Sequence, residues 1–137
     1  MTTRRERPPL TDAQWKSLGR EAEKARKRAH APYSNYRVGA ALLTSKGVIH
    51  GCNVENASYG LGLCAECGMV SALRTSGGGR LVAVVCTDGE GNLLTPCGRC
   101  RQILFEFGGP DLLVNRTLRM ADDLLPGAFG PDDLPGR

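Results

Sequence analysis

Apolar residues recur at helical spacing through Trp15, Leu18, Ala22, Ala25 and Ala29, so the chain opens with an amphipathic helix that buries one face. Thr11 and Gln14 stand three apart just ahead of that run, which is the spacing of a capping box. Pro32 is expected to end this helix. The period then changes: Val38–Leu43 and Val48–Val54 read as two strands joined by a turn at Ser45-Lys46-Gly47. Helical spacing returns over Cys64–Thr75, and Ser76-Gly77-Gly78-Gly79 closes that element. Leu81–Thr87 is an unbroken apolar run, suited to a strand buried on both faces. Asp88–Asn92 is a turn, Cys97–Phe107 a third helix, Leu112–Val114 a further strand, and the residues around Thr117–Met120 a last one. Helix, hairpin, helix, strand, helix, strand predicts an α/β sandwich without internal repeats.

Composition narrows the class. At 137 residues the chain is long enough for one hydrophobic core without disulfides. Its 41% hydrophobic and 23% charged content is that of a globular domain, and no run of residues is apolar enough to span a membrane. Residues 1–10, with clustered charges and Pro8-Pro9, read as a disordered basic arm, and 11–137 as a single domain. The net charge of +4 is uneven: residues 1–28 hold nine Lys/Arg against four Asp/Glu, the remainder nine against ten. The positive excess therefore lies on the arm and first helix, and reads as a solvated helix face rather than a nucleic-acid surface.

Six cysteines carry the candidate chemistry. Cys64-Ala65-Glu66 and Pro96-Cys97-Gly98-Arg99-Cys100 together offer three thiols for a tetrahedral zinc ion, with one position left to water. Glu66, placed as a non-ligand, would move that water's proton. This arrangement is the general signature of zinc-dependent nucleobase deaminases. Cys67 follows Cys64 at C-x-x-C spacing, so a closed four-cysteine structural site remains an alternative. Against it, the gap to Cys97 is long, each pair opens a helix rather than a knuckle, and a structural site has no use for Glu66. Helix N-termini at Cys64 and Cys97 would offset the negative charge of three thiolates and lower their pKa values. Arg101 would add a donor to a sulfur, or else lie exposed on the helix. Cys52 and Cys86, in apolar strands, read as small hydrophobes. Free metal-binding thiols, and the lack of an apolar signal segment after the charged N-terminus, imply a cytoplasmic protein.

Further stretches carry a resemblance. Ala31-Pro32-Tyr33-Ser34, Val38-Gly39-Ala40-Ala41-Leu42, Asn53-Val54-Glu55-Asn56-Ala57-Ser58-Tyr59, Cys64-Ala65-Glu66, Pro96-Cys97-Gly98-Arg99-Cys100-Arg101-Gln102 and Leu124-Leu125-Pro126-Gly127-Ala128-Phe129 are similar to the short, homotetrameric cytidine deaminases. The resemblance runs from the first helix to Phe129. It implies a three-layer α/β/α sandwich on a five-stranded mixed sheet, and hydrolytic deamination of cytidine and deoxycytidine in pyrimidine salvage. It assigns one Zn²⁺ per subunit to Cys64, Cys97 and Cys100, proton transfer to Glu66, and the ribose hydroxyls to the side chains of Asn53 and Glu55. The backbone of Ala65 would contact the base, with Tyr36 packed near it, while Tyr59 and Phe129 would reach into a neighbouring subunit's site. The partners implied are a small nucleoside and further copies of the chain in a tetramer with shared active sites, with neither membrane nor nucleic acid. Asn53 and Glu55 could instead cap a loop, and Tyr36 and Phe129 could be core aromatics.

One position departs from the family pattern. Many members carry arginine directly after Cys-Ala-Glu, where this chain has Cys67, so a cation is lost and a thiol gained beside the metal. The alternatives in function are a blasticidin S-type deaminase, an RNA-editing deaminase using the basic arm, and a non-catalytic zinc module.

Overall fold

The computed structural model describes residues 10–136. The basic arm expected over residues 1–10 lies outside them except for Leu10, which packs against the core cluster around Trp15. Helix α1 spans Asp12–Arg26 behind the expected capping box, in which Thr11 and Gln14 satisfy each other's backbone N–H groups. The helix does not run on toward Pro32. It stops at Arg26, because His30 leaves to pair with the strand-like segment around Val54: His30 N–H donates to the Asn53 carbonyl and Glu55 N–H to the His30 carbonyl. Ala29 is still buried, although by a turn and not by the helix.

Five strands form one mixed sheet: β1 (Gly39–Thr44), β2 (Gly47–Cys52), β3 (Leu81–Thr87), β4 (Leu113–Val114) and β5 (Leu118–Arg119), in the order β2-β1-β3-β4-β5. Only β3 and β4 are parallel. The expected strand Val48–Val54 is shorter, since β2 ends at Cys52 and Val54 makes isolated bridges to His30 and Leu63.

Side-chain alternation sorts the sheet into two faces. Ala41, Ala83 and Val85 meet Trp15, Leu18 and Ala22 of α1. Ala40, Leu42, Val84 and Cys86 meet the opposite layer, made by α2 (Ala65–Thr75) and α3 (Gly98–Gly108), through Ala65, Met69, Leu73 and Leu104. Leu81 joins that second face although it shares parity with Ala83. A register shift between β1 and β3, with Leu43 opposite Ala83 and Thr44 opposite Leu81, inserts an extra residue and flips the phase. The result is the expected three-layer sandwich. Gly51 lets α2 close on the sheet: a Cβ there would lie 2.2 Å from the Ala65 carbonyl oxygen and 2.5 Å from Met69 Cγ. That close approach seats the N-terminus of α2, and so Cys64, over the edge of the sheet.

Candidate active site

Cys64 and Cys97 are the N-cap residues of α2 and α3, both in extended backbone conformation, so each helix begins one residue later than the thiol. Neither makes a side-chain cap bond, which leaves both sulfurs available at the positive ends of their helices. Cys100 sits in the first turn of α3 and is fully buried. The sulfurs of Cys64, Cys97 and Cys100 all lie within 4.8 Å of one another. Three convergent thiols at two helix N-termini are a donor set suited to zinc.

Cys67 stands outside that group of three. Its sulfur is 3.9 Å from Cys100 Sγ, and its backbone N–H is spent on the Cys64 carbonyl. It borders the three convergent thiols and is not a fourth member of their set. Cys67→Ser is therefore expected to keep zinc and measurable activity, as read by metal analysis and turnover on the same sample. Complete loss of metal in that variant would revive the closed four-cysteine site.

The thiols differ in proton affinity. Burial, with the hydrogen bond to Cys97 second, pushes Cys64 up to about 11. Burial, with the charge of Glu66 second, also pushes Cys100 up. Burial works in the same direction at Cys97, but hydrogen bonds from the Cys100 backbone N–H and from the Cys100 and Cys64 thiols outweigh it and leave Cys97 below its ordinary value. Without a cation, Cys97 ionises first while Cys64 and Cys100 keep their protons near neutral pH. Zinc must displace those protons, so raising the pH favours the metal. Apparent zinc affinity, measured by chelator competition from about pH 6 to 8, is expected to rise by roughly tenfold or more per pH unit. A flat profile would contradict this assignment of protonated ligands.

Above the thiols opens a cavity of about 740 Å³. Cys64, Ala65, Glu66 and Cys97 line it, with Asn53, Glu55, Val38, Leu63, Leu94 and Pro96 among the other walls. Glu66 is only 4% exposed, and its Oε1 accepts the Cys86 thiol at 3.0 Å. Asn53 and Glu55 are two apart on an extended segment, so their side chains share one side of it, and both line the cavity. Asn53 Oδ1 accepts Val38 N–H and its Nδ2 donates to the Tyr36 carbonyl, both at 2.8 Å. Glu55 Oε1 accepts the backbone N–H groups of Tyr33 and Ser34, and Oε2 accepts the Ser34 hydroxyl. That hydroxyl, ahead of the backbone donors, holds the Glu55 carboxyl below its usual value. The two residues do brace local loops, as the alternative reading held, and they do so while facing the cavity. An ionised Glu55 accepts hydrogen bonds only, and an amide such as Asn53 both donates and accepts, which together suit a sugar hydroxyl.

Two expected positions, Tyr36 and Arg101, find other partners than expected. Tyr36 does not line the cavity; its carbonyl anchors Asn53, its N–H meets the Ser34 hydroxyl, and Val38 forms the wall. Arg101 donates Nε–H to the Pro96 carbonyl at 2.9 Å and Nη1–H to the Leu124 carbonyl at 3.1 Å, with no sulfur among its partners. Its position in α3 ties the Cys97 loop to the C-terminal segment and does not aim the cation at the ligands. Tyr59 lines the mouth of its own chain's cavity, its ring 5.9 Å from that of Tyr33. Phe129 lies outside the cavity and is 60% exposed, so it is not a core aromatic of its own domain. Ser34, Cys86 and Asn115 were not singled out as site residues from sequence. These contacts span 20 to 29 positions, so no local spacing signals them.

Comparison with known proteins agrees with this geometry. The model of the cytidine and deoxycytidylate deaminase zinc-binding region matches residues 13–115. A cytidine deaminase of Mycobacterium tuberculosis is 54% identical over 129 residues, 92% of this chain and 97% of its own. The crystal structure of cytidine deaminase from that organism superposes with a TM-score of 0.82 at 53% identity, covering 88% of this chain and 99% of that one. The crystal structure of the Mycobacterium leprae cytidine deaminase gives 0.79 at 55% identity, over 84% and 99%. With the family model spanning most of the chain and these relatives matching nearly their whole length, the chain belongs to the cytidine and deoxycytidylate deaminase family.

Proposed function

We propose that this chain catalyses the hydrolytic deamination of cytidine and deoxycytidine to uridine and deoxyuridine, with release of ammonia. The observation that carries the reading is the juxtaposition of three convergent thiols, a buried Glu66 and the Asn53/Glu55 pair around one cavity with ample room for a nucleoside.

Cys64, Cys97 and Cys100 would hold the zinc ion, which when bound would make a water acidic enough to act as a nucleophile near neutral pH. Asn53 and Glu55 hold the ribose hydroxyls and so place the base over the pocket floor, where the Ala65 backbone meets it. A pair built to bind a sugar hydroxyl rejects analogues lacking it, because its own polar groups would be left unpaired, and the 3′-hydroxyl common to cytidine and deoxycytidine meets that need. Glu66 takes a proton from the attacking water and delivers it to N3 of the base, as the water oxygen bonds to C4. Glu66 then passes the second proton to the amine at C4, the C–N bond breaks, and ammonia departs. Burial of Glu66 keeps this proton traffic away from bulk solvent.

The active assembly in this reading is a cytoplasmic homotetramer with shared sites. Tyr59 and Phe129 are 80% and 60% exposed, and Leu61, Leu63 and Leu93 are exposed with them. Two of them, Tyr59 and Leu63, line the cavity, so apolar surface at its mouth is left open to a neighbouring subunit. Among the described residues no helix is long and apolar enough to cross a membrane. The test is ammonia release from cytidine, deoxycytidine and blasticidin S, with zinc content measured on the same sample. Turnover of the two nucleosides supports the reading. Activity confined to blasticidin S, or zinc-loaded protein inert toward all three, overturns it.

A further inference from the structure

Cys86 lies in β3 at the heart of the sheet and is fully buried. As a small hydrophobe it would only fill space, but its sulfur is 3.0 Å from Glu66 Oε1. Burial, with the neighbouring carboxylate second, pushes the thiol well above its ordinary range, so it remains a donor. Cys86 is itself tied in place: its backbone N–H donates to Asn115 Oδ1 and its carbonyl accepts Leu94 N–H, both at 2.9 Å. Asn115 Nδ2 closes the loop by donating to the Leu94 carbonyl at 2.9 Å. Asn115 is buried and has a positive φ of 50°, a conformation that asparagine tolerates better than most residues. The strand that carries Cys86 and the loop that leads to Cys97 are thus cross-linked through one side chain.

We propose that Cys86 is a positioning residue for the deamination, its S–H holding one oxygen of Glu66 so that the other faces the reacting atoms, with Asn115 fixing Cys86. The proposal rests on Glu66 being the proton carrier. Glu66 also contacts the Cys100 thiol, but a cysteine ligating zinc has given up its hydrogen. Once the metal is bound, the Cys86 thiol is the sulfur donor that remains to orient the carboxylate.

The experiment compares Cys86→Ala, Cys86→Ser and Glu66→Gln in the zinc-loaded protein. Alanine and serine are both smaller than cysteine and fit the site, and only serine keeps a donor. Cys86→Ala is expected to lose about 10–100-fold in kcat, the scale of one hydrogen bond to a charged group, with KM changed by less than about twofold. Cys86→Ser should recover most of that loss, while both variants keep their zinc and show a similar drop in Tm. Wild-type kcat in Cys86→Ala, equal impairment of the two variants, or a KM rise accounting for the loss would each overturn the proposal. An active Glu66→Gln would instead remove the reading of Glu66 on which it stands.

Discussion

Glu66→Gln is expected to lower turnover by about 10²–10⁴-fold, the contribution typical of a positioned acid–base group, while the protein keeps its fold and one zinc per chain. Glutamine has nearly the shape of glutamate, so the packing of Glu66 beneath the cavity is preserved and its side-chain oxygen can still accept the Cys86 thiol. What it cannot do is collect a proton from water and hand it to N3 and then to the amine. The sulfurs of Cys64, Cys97 and Cys100 converge as a set of three donors able to hold the metal without Glu66. Metal content should therefore stay at the wild-type level, and KM should change far less than kcat. Zinc lost together with activity would make Glu66 a ligand and would overturn the assigned mechanism.

The parts of this site that were legible in the sequence are those written in local spacing. The two Cys-containing motifs open apolar-periodic runs, which puts Cys64 and Cys97 at helix starts, as observed. Helical spacing also places Cys67 one turn after Cys64, close to the ligands, and it lies beside Cys100. An α/β sandwich followed in the same way, from the hairpin of β1 and β2, the unbroken apolar run of β3 and the apolar faces of the helices, whereas the three-layer, five-stranded form was implied by the family resemblance. The end of α1 did not, since a pairing between His30 and the Asn53–Glu55 segment, and not Pro32, decides where the chain leaves the helix.

Long-range closure explains the remaining differences. A guanidinium next to a ligand cysteine in sequence suggests a bond to sulfur, yet Arg101 finds two carbonyls, one of them 23 residues away. The bracing of Glu55 by Tyr33 and Ser34, and of Asn53 by Val38 and Tyr36, depends on how the segment before β1 folds back across the cavity wall. Nothing in the composition of a buried strand distinguishes Cys86, facing a carboxylate, from a cysteine facing only leucines. Residue type and period report what a side chain can do, and tertiary closure decides which partner it does it with.

Phe129→Ala is expected to lower kcat/KM by roughly tenfold or more, mainly through KM, while leaving zinc content unchanged. The ring is 60% exposed, although the segment bearing it is firmly held. Its carbonyl accepts Gln102 Nε2 at 2.8 Å, and Gly130 is packed so tightly on Phe105 that an added Cβ would come within 2.5 Å of Cε1. A large ring fixed in position and left in water is poised for another surface, and burying it there would contribute about 1.5–3 kcal/mol. In the proposed tetramer that surface is the mouth of a neighbour's cavity, where Tyr59 and Leu63 are also exposed. The point substitution is preferable to removing residues 128–137, because truncation would also strip Gly130 from Phe105. Loss of the ring should weaken nucleoside binding and shift the assembly toward smaller species in a sedimentation experiment at assay concentration. A wild-type protein that is monomeric and fully active at that concentration would end the shared-site reading, whatever Phe129→Ala does.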